Sequence, residues 1–218
     1  NTFLDGEYVE SIIASTPSGM FTQRDIYGTW VASEGVVYED FDKDFNYIKS
    51  INKYRFKKYF CGVDFGWEHY GSIVIIGKTL ENKYIILKEY AYKHKDIKYW
   101  CKIAKDINKK YGNLNYYCDS ARPDYIHEMQ IQGIRAIPAN KDVIEGISTV
   151  ATLFKTRDLL AVENQVKVFK NEIYNYVWAK GKDEPVKSND DVLDSVRYGI
   201  YSEIKMTGTT IDRSKYGI

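Results

Sequence analysis

Carboxylates end apolar segments of this chain, where an acid either closes a turn or holds a cation. Asp64 ends Cys61-Gly62-Val63-Asp64 ahead of Phe65-Gly66, and Asp119 ends Tyr116-Tyr117-Cys118-Asp119 ahead of Ser120-Ala121. Asp190, Asp191 and Asp194 open a helical pattern, and their spacings of three and four bring them to one helical face. Like charges so placed destabilise a helix by ~0.2–0.5 kcal/mol per pair unless something offsets them, and a bound cation does. Carboxylate oxygens suit hard ions such as Mg²⁺ or Mn²⁺. Two such ions ~3.5–4 Å apart activate a water and stabilise the leaving oxygen in phosphodiester hydrolysis.

Each acid also has a plain structural reading. Asp64 caps a hairpin turn. Asp119 makes an Asx turn or caps a helix, although ligands of open α/β sheets gather at the carboxyl ends of parallel strands. Ser188-Asn189-Asp190-Asp191 reads as a helix start with acids in its first turn. Asp194 pairs with Arg197, one turn on.

The elements that position these acids follow from periodicity. Three apolar, β-branched runs, Tyr59–Phe65, Gly71–Gly77 and Tyr84–Tyr92, are separated by breaks of hairpin length, which predicts an antiparallel meander. Ile97, Trp100, Ile103, Ala104, Ile107 and Tyr111 fall at helical spacing, and Gly112 stops that helix. Leu114–Cys118 is a strand, Tyr125–Gln132 a short helix and Ile134–Pro138 a strand. Ile144 to Phe154 marks a helix, Leu159–Glu163 a strand and Val168–Trp178 a helix, and a last helix carries Leu193, Val196 and Ile200. The order βββ-α-β-α-β-α-β-α-α predicts an α/β fold, a mixed sheet with helices on its faces. Residues 1–57 lack sustained periodicity and read as a lead-in, with Gly28-Thr29-Trp30-Val31 and Gly35-Val36-Val37-Tyr38 as short strands or docking segments.

Composition bounds the partners. The chain has 218 residues, 44% apolar and 28% charged, which is the profile of an ordered globular chain of one domain or little more. Its 31 Lys+Arg against 30 Asp+Glu exclude a strongly basic nucleic-acid module. DNA contact stays open, because a carboxylate site cancels basic charge in the sum. With 20 Tyr and 4 Pro, the chain reads as β-rich with few structureless linkers. The longest apolar run, Ile73 to Ile76, is far short of the ~20 residues that span a bilayer, so no membrane partner is expected. Cys61, Cys101 and Cys118 lack CxxC spacing, which argues against zinc or a disulfide framework and for a reducing, intracellular compartment. The absence of a signal peptide and the start at Asn1 read as a fragment or a processed chain.

Taken together, these motifs resemble the C-terminal nuclease domain of a tailed-bacteriophage terminase large subunit. Leu4-Asp5-Gly6-Glu7-Tyr8, with Tyr27 to Val31 and Glu34 to Tyr38, is similar to the family's linker between motor and nuclease. Gly62-Val63-Asp64-Phe65-Gly66 resembles the first acidic strand. Asp119 to Pro123, then Gly133, Asn140-Lys141 and Glu145-Gly146-Ile147, resembles the second acidic block. Asp191-Val192-Leu193-Asp194-Ser195-Val196-Arg197-Tyr198 resembles the terminal helix, where relatives often read His-x-x-Asp-Ala-x-Arg-Tyr.

The resemblance implies an RNase H-like fold over residues 58–207, a lead-in 1–57 from a missing ATPase motor and a tail 208–218. It implies a two-metal endonuclease for double-stranded DNA with little sequence specificity. Asp64 and Asp119 would hold one Mg²⁺ or Mn²⁺, and Asp64 with Asp194 or Asp191 the other, Asp191 standing where relatives have His. The implied partners are DNA, the portal protein and the small terminase subunit in the host cytoplasm, with the isolated domain monomeric. No GxxxxGK[ST] loop occurs, so ATP binding at such a site is not expected.

Lys141, in a loop before a helix, is a candidate phosphate contact or a solvated lysine. Lys53-Tyr54-Arg55-Phe56-Lys57-Lys58 could track a DNA backbone, but an exposed edge segment is the favoured reading of Lys57 and Lys58. His69 falls near the site without reading as a ligand, and Trp30, Trp67, Trp100 and Trp178 read as core. Three alternatives share parts of the pattern. They are an actin-like kinase built on the DxG strand, a junction resolvase or transposase of the same fold, and a portal-docking domain with weak activity when isolated.

Overall fold

The computed structural model describes residues 5–29, 31, 34–188 and 190–208. Helix α1 (Gly6–Ser15), a π-helical turn (Thr22–Ile26) and α2 (Lys43–Asn46) lead to β1 (Tyr47–Ile48). The meander follows as β2 (Phe56–Asp64), β3 (Gly71–Thr79) and β4 (Tyr84–Tyr92), then α3 (Ile97–Tyr111). Next come β5 (Asn115–Cys118), α4 (Pro123–Ile131), β6 (Arg135–Pro138), α5 (Val143–Lys155), β7 (Leu159–Val162), α6 (Lys167–Glu172) and α7 (Asp191–Thr207). The sheet runs β1-β7-β4-β3-β2-β5-β6, with β2-β3 and β3-β4 antiparallel and the other pairs parallel. This is the mixed sheet and element order that the periodicity predicts.

Strand alternation decides where the acids point. Successive side chains leave opposite faces of a strand. Phe60 of β2 joins the core that packs on α5 and α7, while Cys61 and Val63 join the core under α3 and α4. Gly62 lies against the backbone of α7, so positions 60, 62 and 64 share the α7 face. On β5, Tyr117 belongs to the α7 side and Tyr116 and Cys118 to the other, which puts Asp119 on the α7 side as well. Val63 pairs with Cys118 in parallel register, so Asp64 and Asp119 follow on neighbouring strands. The Asp119 N–H donates to the Val63 carbonyl at 2.9 Å and holds that register one residue past the ladder.

Two glycines bring α7 onto the sheet. A Cβ on Gly62 would collide with the Ser195 carbonyl oxygen and lie 2.9 Å from the Gly199 N, and a Cβ on Gly199 would lie 3.0 Å from the Gly62 N. Ser72 of β3, paired with Asp64, locks the start of the helix. Its Oγ lies 2.6 Å from Ser195 Oγ and donates to the Asp191 carbonyl at 3.1 Å. Replacing Gly62 with Ala therefore forces backbone apart at the centre of the fold. The expected cost is about 3 kcal/mol, at the upper end for overpacking. In a domain of this size that is a fall in melting temperature of roughly 6–12 °C, readable by thermal melting.

The segment before β2 packs on this core. β1 pairs with β7, and Met20, Phe21, Val37 and Tyr38 are buried against α5 and the 173–178 segment. Val36 forms a bridge with Val177, and Trp178 forms one with Pro185. These pairings correct the expected helix over Val168–Trp178. α6 ends at Glu172 because Val177 and Trp178 are drawn into extended pairing, the Trp178 N–H donating to Gly35 O at 3.0 Å. α7 ends at Gly208 (φ +61°), and no helix among the described residues is long and apolar enough to cross a membrane. Leu4, Trp30, Asn189 and tail residues 209–218, which entered the readings above, lie outside the described residues.

Candidate active site

β2, β5 and the first turn of α7 bring the sequence-predicted acids into one electrostatic field. The Asp64 carboxyl makes no hydrogen bond or ion pair among the described residues. Its carboxyl is pushed well above the usual range, first by burial and then by the charges of Asp194, Asp119, Asp191 and Asp190. Burial, reinforced by Asp194 and Asp191, lifts Asp190 to about 6. Asp191 is raised by burial and partly relieved by the Tyr70 N–H, which donates to its Oδ2 at 3.1 Å, and by the charge of His69. His69 itself is exposed.

The outer acids are oriented by neighbours. Asp119 Oδ1 accepts from the Ala121 N–H at 3.1 Å, the Asx turn of the structural reading, and from Lys141 Nζ at 2.5 Å. Its Oδ2 has no partner among the described residues. Asp194 Oδ1 accepts from Arg197 at 2.8 Å and Oδ2 from the Tyr198 hydroxyl at 3.3 Å. The expected Asp194–Arg197 pair is thus made, and it faces the acid cluster.

The donor set is all carboxylate, which fits a hard divalent ion, and Asp64 lacks a compensating positive charge. Lys141 and Arg197 each meet one oxygen of the outer acids. Among the described residues, no three His, Cys, Asp or Glu side chains are gathered so as to hold an ion as they stand.

Three placements differ from the sequence reading or were not signalled by it. Asp190 occupies the N-cap of α7 but makes no side-chain cap bond. The cap comes from Glu172 of α6, whose Oε2 accepts from the N–H groups of Val192 at 2.9 Å and Leu193 at 3.0 Å. Trp67 is not core. It is 52% exposed because the chain reverses at Gly66 past the end of β2 and carries the indole outside the sheet, whereas Trp100 and Trp178 are buried. Lys57 and Lys58 sit at the far end of β2, six or more residues and so roughly 20 Å from Asp64 along the strand. Lys57 bonds Asn82, and Lys58 meets the buried Glu203 at 2.7 Å.

A mixed sheet of this order, with acids at the ends of adjacent parallel strands and on the helix across them, has the RNase H-like architecture. Residues 61–203 match the family model of the terminase RNaseH-like domain, and the chain belongs to that family. The large terminase of a thermophilic bacteriophage in complex with ADP superposes with a TM-score of 0.83 at 27% identity, covering 91% of this chain and 52% of that one. The chain thus spans about half the length of that terminase. The P22 large terminase nuclease domain matches with a TM-score of 0.67 at 14% identity, covering 78% of this chain and 93% of that one. The large terminase nuclease domain of bacteriophage SPP1 with bound Mn matches at 0.62 and 17% identity, covering 79% and 99%. These last two likenesses are of fold. No curated protein matches the chain in sequence.

Proposed function

We propose that this chain is a metal-dependent endonuclease that cuts double-stranded DNA with little sequence preference, as the nuclease part of a phage genome-packaging terminase. One observation carries the reading. Asp64 is an unpartnered carboxyl set among Asp119, Asp190, Asp191 and Asp194, at the strand ends and helix start where the fold receives ligands. Such an arrangement destabilises the folded domain unless cations enter it. The bound Mn of the SPP1 domain supports the choice of ion class.

Asp64, Asp119, Asp194 and Asp191 would hold two divalent ions, Mg²⁺ or Mn²⁺. Bound there, the ions supply an activated water and stabilisation of the departing 3′ oxygen. The chain's own residues do the positioning. Arg197 and Tyr198 fix the Asp194 carboxylate, and the Tyr70 N–H fixes that of Asp191. Lys141, paired with Asp119, would meet a phosphate oxygen. Recognition through the sugar–phosphate backbone carries no base information, hence the weak sequence preference. Lys57 and Lys58 are too distant to serve the scissile phosphate. The segment before β2 would join the domain to an ATPase motor while packing on its core. The portal protein and the small terminase subunit are the remaining partners, met in the host cytoplasm, and the isolated domain is monomeric.

Plasmid cleavage tests this. Nicking and linearisation are expected with Mn²⁺ or Mg²⁺, none with EDTA, and none by Asp119→Ala with either metal. Cleavage that survives EDTA, or that Asp119→Ala retains, overturns the site assignment.

A further inference from the structure

The turn that follows Asp64 carries side chains with no part in holding the ions. It is built firmly. Gly66 has no room for a Cβ against the Tyr70 carbonyl, and the Tyr70 N–H is tied to Asp191 at 3.1 Å. The Trp67 carbonyl accepts from the His94 N–H at 3.0 Å, with His94 in the left-handed region (φ +55°) that non-glycine residues seldom adopt. This places the His94 ring edge-on to the exposed indole of Trp67, with centroids 5.7 Å apart and planes at 80°. Lys93 lies over the Tyr70 ring at 5.0 Å and Lys95 over the Tyr99 ring at 4.9 Å. The edge beside the acids therefore ends in a lip with a solvent-facing indole backed by His94, and the two lysines that flank His94 in sequence lie over neighbouring tyrosine rings.

An indole with nearby cations matches a chain of phosphates that also offers apolar sugar edges. Base faces inside a duplex are covered by stacking, so the ring meets the apolar edge of the sugar, and the neighbouring cations answer the backbone. We propose that Trp67, backed by His94, contacts the DNA strand next to the scissile phosphate. The indole packs on the apolar edge of a deoxyribose there, while Lys93 and Lys95 face the flanking phosphates. This rests on the nuclease reading and adds a substrate-contacting residue to it. The lip is preorganised, so it positions the strand over the acids instead of closing on it.

The test uses the chain with a short duplex oligonucleotide in Mn²⁺, comparing wild type, Trp67→Ala and Trp67→Phe. Trp67→Ala is expected to raise KM roughly fivefold, as for losing the partial burial of one aromatic ring, with kcat changed less than about twofold. Trp67→Phe should recover most of the loss. Tryptophan emission of the wild type should be quenched on adding duplex in Ca²⁺, and the quench should disappear in Trp67→Phe. Equal melting temperatures show that the variants fold, as expected for an exposed side chain. If wild type cleaves and Trp67→Ala keeps both its KM and the quench, the lip does not touch DNA and the proposal falls while the nuclease stands. A lip that binds a partner protein instead gives that same result. If wild type neither cleaves nor binds duplex with any divalent ion, the nuclease reading falls and takes this proposal with it.

Discussion

Replacing Asp64 with Asn should abolish DNA cleavage and, in the absence of metal, make the domain more stable. The two effects have one cause. Asp64 is held among four other acids without a cation of its own, and burial makes the ionised form costly. Asn keeps the shape and removes the charge. Relief of this kind at an active site is worth about 1–2 kcal/mol, or roughly 2–8 °C in melting temperature for a domain of this size. Loss of even an outer-sphere partner of a metal costs 10–100-fold, so loss of a ligand at the centre should cost about 100-fold or more in cleavage. Mn²⁺ should raise the melting temperature of the wild type, because an ion that binds only the folded state stabilises it. It should do so far less in Asp64→Asn. Thermal melting with and without Mn²⁺, beside plasmid cleavage, checks both halves. A variant that cuts like wild type, or melts lower without metal, would show that Asp64 is a structural turn residue.

The acids were legible in the sequence because strand period and register are local properties. An apolar run ending in Asp at 64, and another at 119, fixes which carboxylates reach the strand ends, and the three-residue step from Asp191 to Asp194 fixes a helical face. The parallel pairing of β2 with β5 then puts the first two on neighbouring strands. What stayed hidden depends on contacts across long stretches of chain. Lys58 reads as a DNA-tracking or edge lysine until Glu203 of α7 is seen beneath it. Trp67 reads as core from its type alone, and only the reversal at Gly66 shows that the chain has already left the sheet. Glu172 gives no local signal, since it sits in a short helix and caps another one twenty residues on. Asp190 stands where a cap belongs, and that resemblance concealed the residue that does the capping.

Glu172 carries the second large effect, a pH dependence of stability with a definite sign. Its side chain is 2% exposed, and burial pushes it from the ordinary 4.5 up to about 8, with the Leu193 and Val192 N–H groups pulling it down and the charges of Asp191 and Asp190 pushing it up. Because the folded value lies above the unfolded one, the folded state binds the extra proton between them. The contribution is complete below about 4.5 and is lost as pH rises through about 8. At about 1.4 kcal/mol per pH unit, an interval of this width is worth several kcal/mol. Glu172→Gln keeps an acceptor for both N–H groups and cannot ionise. Its advantage over wild type should therefore grow from pH 5 to 8 and level off above, and denaturant unfolding across that range measures it. Asp64, Asp190 and Asp191 are raised as well, and Glu172→Gln retains all three, so the difference between the two curves reports Glu172 together with its coupling to Asp190 and Asp191. Glu172→Ala should lose about 1–3 kcal/mol even at pH 5, because two buried N–H groups are left without an acceptor. The turn it releases bears Asp191 and Asp194, so Glu172→Ala should also weaken Mn²⁺ binding, whereas Glu172→Gln should keep it. Parallel pH curves for wild type and Glu172→Gln would place the Glu172 carboxyl at its ordinary value and remove it as the source of the slope.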